Sequence, residues 1–213
     1  MAKENHISFE DWVEWMFDRQ DKDWIWKIES PIWISNHRLM AEHFVALHLN
    51  PLAPLANFND DQIGWGFWNL YSPLIETSPF TPEVRELGLF GELIESLVPC
   101  LKNFLLRDAA KSYLISSYPG MSFFMFWDIC GIWPRRSTDS DRTLLDLAFK
   151  EMEASLYVSH PVAQYHALHG LGEFRSLAKH RTAEIVKNWL ATKPHIDDEI
   201  AQYAKDAMRG NVL

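Results

Sequence analysis

Two histidines and a glutamate recur at helical spacing in the stretch HPVAQYHALHGLGEF (160–174). His169 follows His166 by three residues and Glu173 follows His169 by four, so a helix carries all three side chains on one side. Imidazole nitrogens and carboxylates are ligands that Zn²⁺ and related divalent cations accept. The spacing therefore predicts a divalent-metal site that belongs to a helical metal-binding protein or metal-dependent enzyme. A further ligand would come from Glu151, Glu153, His160 or His180.

The same side chains also have a simpler interpretation as the polar side of a packed helix. At 100° per residue they cluster roughly opposite an apolar stripe that includes Ala167, Leu168 and Leu171. Such a side is solvated, or it faces a cleft or a neighbouring helix. In this interpretation no cofactor is expected, and the contact residues are His160, Gln164, His166, His169 and Glu173.

Asp128 lies in the almost wholly apolar run FFMFWDICGIW (123–133). An ionised carboxylate is costly in such surroundings unless it is paired or hydrogen-bonded. One interpretation is a buried ion pair with Arg135 or Arg136 that fixes the join between the two halves of the chain. The other is a small-ligand pocket bordered by Asp128 and Trp127, or a site for a basic group of a partner.

Other catalytic signatures are missing from the sequence. It contains no nucleophile motif and no dinucleotide fingerprint, and GWGFW (64–68) does not follow a strand, so it is not a phosphate loop. His43 falls within the apolar stripe of a predicted helix, and no Glu-x-x-His motif accompanies it. We interpret His43 as a core histidine with one hydrogen-bond partner rather than as a di-iron ligand.

Composition and charge exclude several classes of protein. The 213 residues are 47% hydrophobic and include ten tryptophans, which argues against disorder. The net charge of −9 without a long basic run argues against binding to nucleic acid or to a membrane surface. No segment predicts a membrane span or a signal peptide, and Cys100 and Cys130 fit free thiols in a reducing cytoplasm.

Helical signals dominate the sequence and no strand pattern persists. Capping residues mark helix starts at Ser8, Asn36 and Thr81-Pro82. We therefore predict an all-α fold of stacked antiparallel helical hairpins, a short α-solenoid. One domain is expected over 1–213, in which a tryptophan-rich part (1–58) packs on a helical body (59–213).

Three further segments have specific predictions. The residues 23–35 predict an extended or short helical connector, and Pro119-Gly120 predicts a turn that precedes a helix-length apolar segment. The final third of the chain predicts four helices joined by short connections, at about 140–158, 161–177, 182–192 and 196–208.

A Gly-x-Gly pair occurs within two predicted helices, DQIGWGFW (61–68) and QYHALHGLGEF (164–174). Glycine inside a helix costs about 0.5–1 kcal/mol relative to alanine. Two such pairs indicate positions where another part of the chain approaches the helix closely.

Three segments together, QIGWGFWNLYSP (62–73), MFWDI (125–129) and HPVAQYHALHGLGEF (160–174), resemble a bacterial family of helical proteins without an assigned activity. The family carries Gly-x-Gly, aromatic-Trp-Asp-Ile and Ala-Leu-His-Gly-Leu-Gly segments, and its C-terminal part is similar to HEAT-like repeats. Where the family places histidine after the second glycine, this chain has Glu173. The resemblance implies a HEAT-like helical fold in a bacterial cytoplasm, and it implies nothing about chemistry.

The function expected from the sequence is binding to another protein, without catalysis. The expected sites are the face bearing His166, His169 and Glu173, and an aromatic surface formed by N-terminal tryptophans such as Trp12 and Trp15. A metal-dependent enzyme that uses His166, His169 and Glu173 is the first alternative. A small-ligand pocket at Asp128 is the second.

Overall fold

The computed structural model describes residues 6–18, 35–74, 77–107, 110–131 and 139–212. Most of the predicted connector 23–35 lies outside these residues, as do Arg135 and Arg136. Within them the chain forms helices and turns and no strand, which confirms the all-α prediction for the part that is described. None of these helices is both long and apolar enough to cross a membrane.

A three-residue 3₁₀ turn (Phe174–Ser176) directly follows the tenth helix. The bounds of the helices are α1 Phe9–Phe17, α2 His37–Leu49, α3 Asp60–Tyr71, α4 Pro82–Glu86, α5 Phe90–Glu95, α6 Leu97–Leu105, α7 Tyr118–Phe124, α8 Phe126–Ile129, α9 Asp139–Leu156, α10 Pro161–Glu173, α11 Lys179–Ala191 and α12 Asp198–Ala207.

The predicted capping residues begin their helices. The Ser8 hydroxyl accepts a hydrogen bond from the Asp11 backbone N–H (3.1 Å), and the Asn36 side chain accepts one from Leu39 (3.2 Å). Thr81 caps α4 in the same way. These bonds satisfy N–H groups that have no partner inside the helix, and they confirm the three helix starts.

The predicted turn at Pro119-Gly120 is wrong, because both residues lie inside the first turn of α7. Ser117 caps this helix by accepting a hydrogen bond from the Gly120 N–H (3.3 Å). Proline fits a first turn because the N–H that it lacks would have no helical partner there. The apolar segment that follows is divided at Met125 into α7 and α8.

Helix α10 lies at the centre of the fold, where it packs against α6, α7, α8, α9, α11 and α12. It is consequently buried on almost all sides, including the side that the sequence predicts to be polar. Of the alternatives predicted for this side, His166 and His169 face neighbouring helices and not solvent, and their exposed fractions are 0% and 3%.

The glycine pairs allow close approach, as predicted. A Cβ atom on Gly64 would overlap Tyr118 at the start of α7 and lie 2.6 Å from its backbone carbonyl carbon. A Cβ atom on Gly170 would overlap the Trp127 indole and lie 2.6 Å from the Met152 sulfur. A Cβ atom on Gly66 would likewise overlap the Phe17 ring, and one on Gly172 would overlap the Val212 side chain.

Glu151 is a buried carboxylate that joins α9 to the beginning of α6. It accepts a hydrogen bond from the Val98 backbone N–H, and its Oε2 atom is buried without a described partner. Burial raises the pKa of Glu151 to about 6, although the Val98 hydrogen bond opposes this. The native chain therefore holds the Glu151 proton more tightly than the unfolded chain does.

We expect Glu151→Gln to raise the free energy of unfolding by about 1–2 kcal/mol at pH 8 and to change it little at pH 5. The wild-type charge is costly above pH 6, and this cost disappears as the carboxyl is protonated between pH 6 and the unfolded value near 4.5. Urea unfolding at both pH values measures the effect, with exposed Glu153→Gln as the control. Destabilisation by Glu151→Gln at pH 8 would contradict this account.

Candidate functional site

His166 is completely buried, and both of its ring nitrogens have partners. Its Nδ1–H donates to the Phe123 carbonyl (2.6 Å), and its Nε2 accepts from the Trp127 indole N–H (3.0 Å). Burial lowers the pKa of His166 to about 4, because the hydrogen bond to the Phe123 carbonyl compensates only in part for the loss of water around an imidazolium. His166 is therefore a neutral histidine that joins α10 to α7 and α8.

This arrangement does not support the predicted metal site at His166, His169 and Glu173. A metal ion needs a free imidazole nitrogen, and His166 has none. Across the residues that the structure describes, no group of three His, Cys, Asp or Glu side chains is arranged to hold a metal ion.

Trp127 and Asp128 are neighbours in sequence but lie in different environments. Trp127 is fully buried against His166 and Gly170, so it is a core residue and not a contact residue. Asp128 is exposed, and the prediction of a buried carboxylate is wrong. In the short helix α8, Phe126 and Trp127 point inward, and Asp128 shares the outer side with the partly buried Met125 one turn before it.

His160 and Gln164 lie apart from His169, at the other end of α10. His160 caps this helix, because its Nδ1 accepts from the Val162 N–H (3.2 Å) while its Nε2–H donates to the Ala110 carbonyl (2.9 Å). Both residues border an open groove of ≈ 460 Å³ between the start of α10 and the loop before α12, where Lys193 also lies. His160 thus has a structural role, and Gln164 is partly buried at the groove wall.

Among the predicted ligands that the structure describes, His169 is the histidine with a buried ring nitrogen that lacks a hydrogen-bond partner. Its Nδ1 lies 3.0 Å from the Tyr203 hydroxyl of α12, and its ring packs on Phe124 with centroids 4.5 Å apart. Its Nε2 is buried and has no hydrogen-bond partner. Burial lowers the pKa of His169, and the nearby charge of Asp128 opposes this shift.

Two tyrosines extend the surroundings of His169 along α10 and α12. Tyr165 lies one turn before His169, and its ring meets the Tyr203 ring edge to face with centroids 5.1 Å apart. Burial raises the pKa of Tyr203, and the charge of Glu173 raises it further. Both tyrosines are partly buried.

The Asp128 and Glu173 carboxylates lie close enough to repel each other. Burial raises the pKa of Glu173, and the charge of Asp128 adds to this shift. Neither carboxylate forms an ion pair with a described residue, whereas Asp206 on α12 pairs with Arg209 (3.3 Å). We call the surface formed by Asp128, Tyr165, His169, Glu173 and Tyr203 the acidic face.

The sequence prediction missed both tyrosines of the acidic face. Tyr165, His169 and Glu173 follow one another at four-residue spacing, which places them on one side of α10, and this signal was available in the sequence. Tyr203 is 34 residues from His169, and no local pattern connects the two.

The sequence prediction also missed His48, which is completely buried. The Tyr71 hydroxyl donates to its Nε2 (3.3 Å), and its Nδ1–H donates to the Ser96 hydroxyl (3.0 Å). Ser96 in turn donates to the Leu93 carbonyl (2.7 Å), so its proton points away from the histidine. Because Ser96 is buried and its proton is used in this way, the chain of bonds is structural and does not activate a nucleophile.

The N-terminal tryptophans do not form the predicted exposed aromatic surface as far as they are described. Trp12 is fully buried in the core, and the partly buried Trp15 packs against the core. The ring of His43 contacts Phe9 and Trp12, and its Nε2–H donates to the Ile7 carbonyl (3.1 Å). The prediction of one hydrogen-bond partner for His43 is confirmed.

An aromatic notch of ≈ 220 Å³ opens instead between α3 and α7. Its walls include Trp65 and Trp68, three residues apart on α3, together with the exposed side chains of Tyr118 and Met121. Its lining residues are Gly64, Trp65, Trp68, Tyr118, Met121 and Ser122, and none of these is charged.

Comparison with known proteins gives no relative for this chain. The sequence matches no protein-family model and no curated protein, and no solved structure matches its fold. The function is therefore argued from the geometry of the acidic face.

Proposed function

We propose that this chain is a protein-interaction module without catalytic activity, and that it binds a basic segment of another protein at the acidic face. The observation that carries the proposal is the exposed Asp128 carboxylate, whose charge acts on both Glu173 and the buried His169, together with the His169 Nε2 atom, which has no partner. Uncompensated negative charge favours a partner that carries positive charge.

The make-up of the acidic face supports binding to a protein. Tyrosine combines a large apolar ring with a polar tip and is enriched where partners bind most strongly. Tyr165 and Tyr203 supply two such rings side by side. Burial raises the pKa of Tyr165, and the nearby charges of Glu199 and Asp197 raise it further. The negative potential therefore extends along both helices.

We further propose that α9 to α12 stack as HEAT-like antiparallel hairpins and present the acidic face on neighbouring helices. The short connections 157–160, 174–178 and 192–197 support this arrangement, as does the packing of α10 on α9, α11 and α12. A bacterial cytoplasm is part of the proposal, and the buried free thiols of Cys100 and Cys130 fit a reducing compartment.

A selection of random peptides displayed on phage against the wild-type protein tests the binding function. We expect the selected peptides to be basic, and we expect Asp128→Lys to weaken their binding at least about tenfold, a loss of about 1.4 kcal/mol. Asp128 is exposed, so this substitution leaves the core unchanged.

The matched control is Glu184→Lys, which makes the same change of net charge at an exposed position on α11. This variant is expected to bind the peptides as the wild type does, which separates a specific face from general attraction to an acidic protein. A selection without binders, or peptides that bind both variants equally, would overturn the proposal.

A further inference from the structure

An open groove of ≈ 760 Å³ lies between α1 and the part of the chain that connects α2 to α3. Its volume falls within the range of roughly 300–1,000 Å³ that is usual for ligand pockets. One wall is α1, and the other is formed by residues between 50 and 62. The described residues that line this α1 groove include none of the acidic face, so the groove is a separate surface.

Helix α1 lines the groove with two neighbouring rows of side chains. Phe9 and Val13 form an apolar row, and the exposed Glu10, Glu14 and Asp18 form an acidic row beside it. Within each row the residues are four apart, which places them one above the other along the helix. The groove therefore brings three carboxylates and an apolar strip around one region.

The opposite wall adds apolar surface and no positive charge. Pro54 and Phe58 contribute rings to it. Gln62 connects the two walls, because its Nε2–H donates to Oδ1 of Asp18 (3.2 Å) and holds this carboxylate at the groove. Among the described lining residues there is no lysine, arginine or histidine, so the acidic row is not neutralised from within the groove.

The acidic row is unfavourable for α1 itself. Glu14 lies in the last turn and Asp18 caps the C-terminal end, where the helix dipole is negative, and that turn contains no basic residue. Like charges four residues apart on a helix also repel each other. Neither Glu10 nor Glu14 forms an ion pair with a described residue. Cationic groups in the groove would relieve this repulsion.

We infer that the α1 groove binds a basic amphipathic helix of a partner protein. The apolar side chains of that helix pack on Phe9, Val13 and Phe58, and its lysines or arginines pair with the acidic row. A helix matches both rows because its own side chains repeat at the same four-residue spacing. The acidic row extends over about 12 Å, which corresponds to two turns of such a helix. A small hydrophilic cation would leave the apolar row uncovered.

Isothermal titration calorimetry of the full chain with a synthetic peptide tests the inference. The probe is a peptide of about 15 residues, long enough to form a helix, with leucines on one helical face and lysines on the other. A comparison peptide of the same composition has its leucines and lysines mixed around the helix. We expect saturable binding of the probe and at least about tenfold weaker binding of the comparison peptide.

Three lysine variants locate the binding site. Glu14→Lys reverses one exposed charge of the acidic row and is expected to weaken probe binding at least about tenfold. Asp128→Lys on the acidic face and Glu184→Lys on α11 make the same change of net charge at other exposed positions. Both are expected to bind the probe as the wild type does, which separates the α1 groove from the acidic face.

The neutral variant Glu14→Gln distinguishes a binding carboxylate from a structural one. We expect it to weaken probe binding and to raise the urea midpoint of the free protein, because it removes repulsion within α1. A lower midpoint would overturn the inference. Absence of probe binding, equal binding by Glu14→Lys, or equal binding of the comparison peptide would also overturn it. Binding that Asp128→Lys removes and Glu14→Lys leaves intact would place the basic helix on the acidic face instead.

Discussion

Replacing Gly170 with alanine is expected to lower the free energy of unfolding by about 3 kcal/mol, because the new methyl group has no room. Its position overlaps the Trp127 indole and lies 2.6 Å from the Met152 sulfur. Moving the Trp127 ring aside costs free energy, because the ring is fully buried and its N–H donates a hydrogen bond to His166. Urea unfolding at pH 7.5 measures the loss.

Gly91→Ala is the matched control for this substitution. Gly91 lies inside α5, and the nearest atom to an added Cβ there is a methyl carbon of Leu147 at 3.7 Å, an ordinary contact. Alanine is expected to stabilise this helix by about 0.5–1 kcal/mol. If Gly170→Ala and Gly91→Ala had the same effect, the close approach of Trp127 to α10 would be wrong.

Lowering the pH from 7 to 4.5 is expected to remove about 3–4 kcal/mol of unfolding free energy, because two buried histidines remove about 5 kcal/mol and protonation of Glu151 restores about 1.5 kcal/mol. Burial lowers the pKa of His48 to about 3 and that of His166 to about 4, whereas both titrate near 6.5 in the unfolded chain. Below pH 6.5 the unfolded chain therefore binds two protons that the native chain does not bind. Each such proton lowers the unfolding free energy by up to about 1.4 kcal/mol for each pH unit below 6.5. Above pH 6.5 both histidines are neutral in the native and the unfolded chain, and this loss of stability is absent.

The variant His166→Asn isolates one of these two protons. Asparagine does not titrate, so the dependence of the unfolding free energy on pH between 5 and 6 is expected to fall by about 1.2 kcal/mol per pH unit. The exposed His180→Asn is expected to keep the wild-type slope. Protonation of Glu151 between pH 6 and 4.5 raises the unfolding free energy, but its pKa shift is smaller than that of either histidine.

Direct titration checks the same point when the variant is too unstable to measure at pH 5. The ring resonances of His166 in the wild-type protein are expected to remain those of a neutral imidazole throughout the range in which the protein stays folded above pH 5. An imidazolium signal for His166 at pH 6 in the folded protein would contradict the buried hydrogen-bonded arrangement.

Local signals in the sequence predicted the parts of the fold that depend on neighbouring residues. Ser8, Asn36 and Thr81 cap helices through bonds that span three residues, which a capping pattern describes completely. The Gly-x-Gly pairs indicated close approach because an interior glycine is unfavourable without such a reason. The identity of the approaching groups, such as Trp127 at Gly170, required the structure.

The errors arose where distant contacts override a helical pattern. His166 was placed on a polar side because imidazole is polar, yet its partners Phe123 and Trp127 lie 43 and 39 residues away and satisfy it inside the core. Asp128 was placed in the core because its neighbours are apolar, yet the outer side of α8 exposes it. The acidic face likewise depends on Tyr203, which α12 brings to His169 from 34 residues away.

The most direct test of the docking function is a ¹H–¹⁵N correlation spectrum of the protein titrated with a selected peptide. The account predicts that the largest shifts cluster at Tyr165, His169, Glu173 and Tyr203, and that they disappear in Asp128→Lys. Shifts centred on the aromatic notch at Trp65 and Trp68, or spread evenly over the surface, would contradict it.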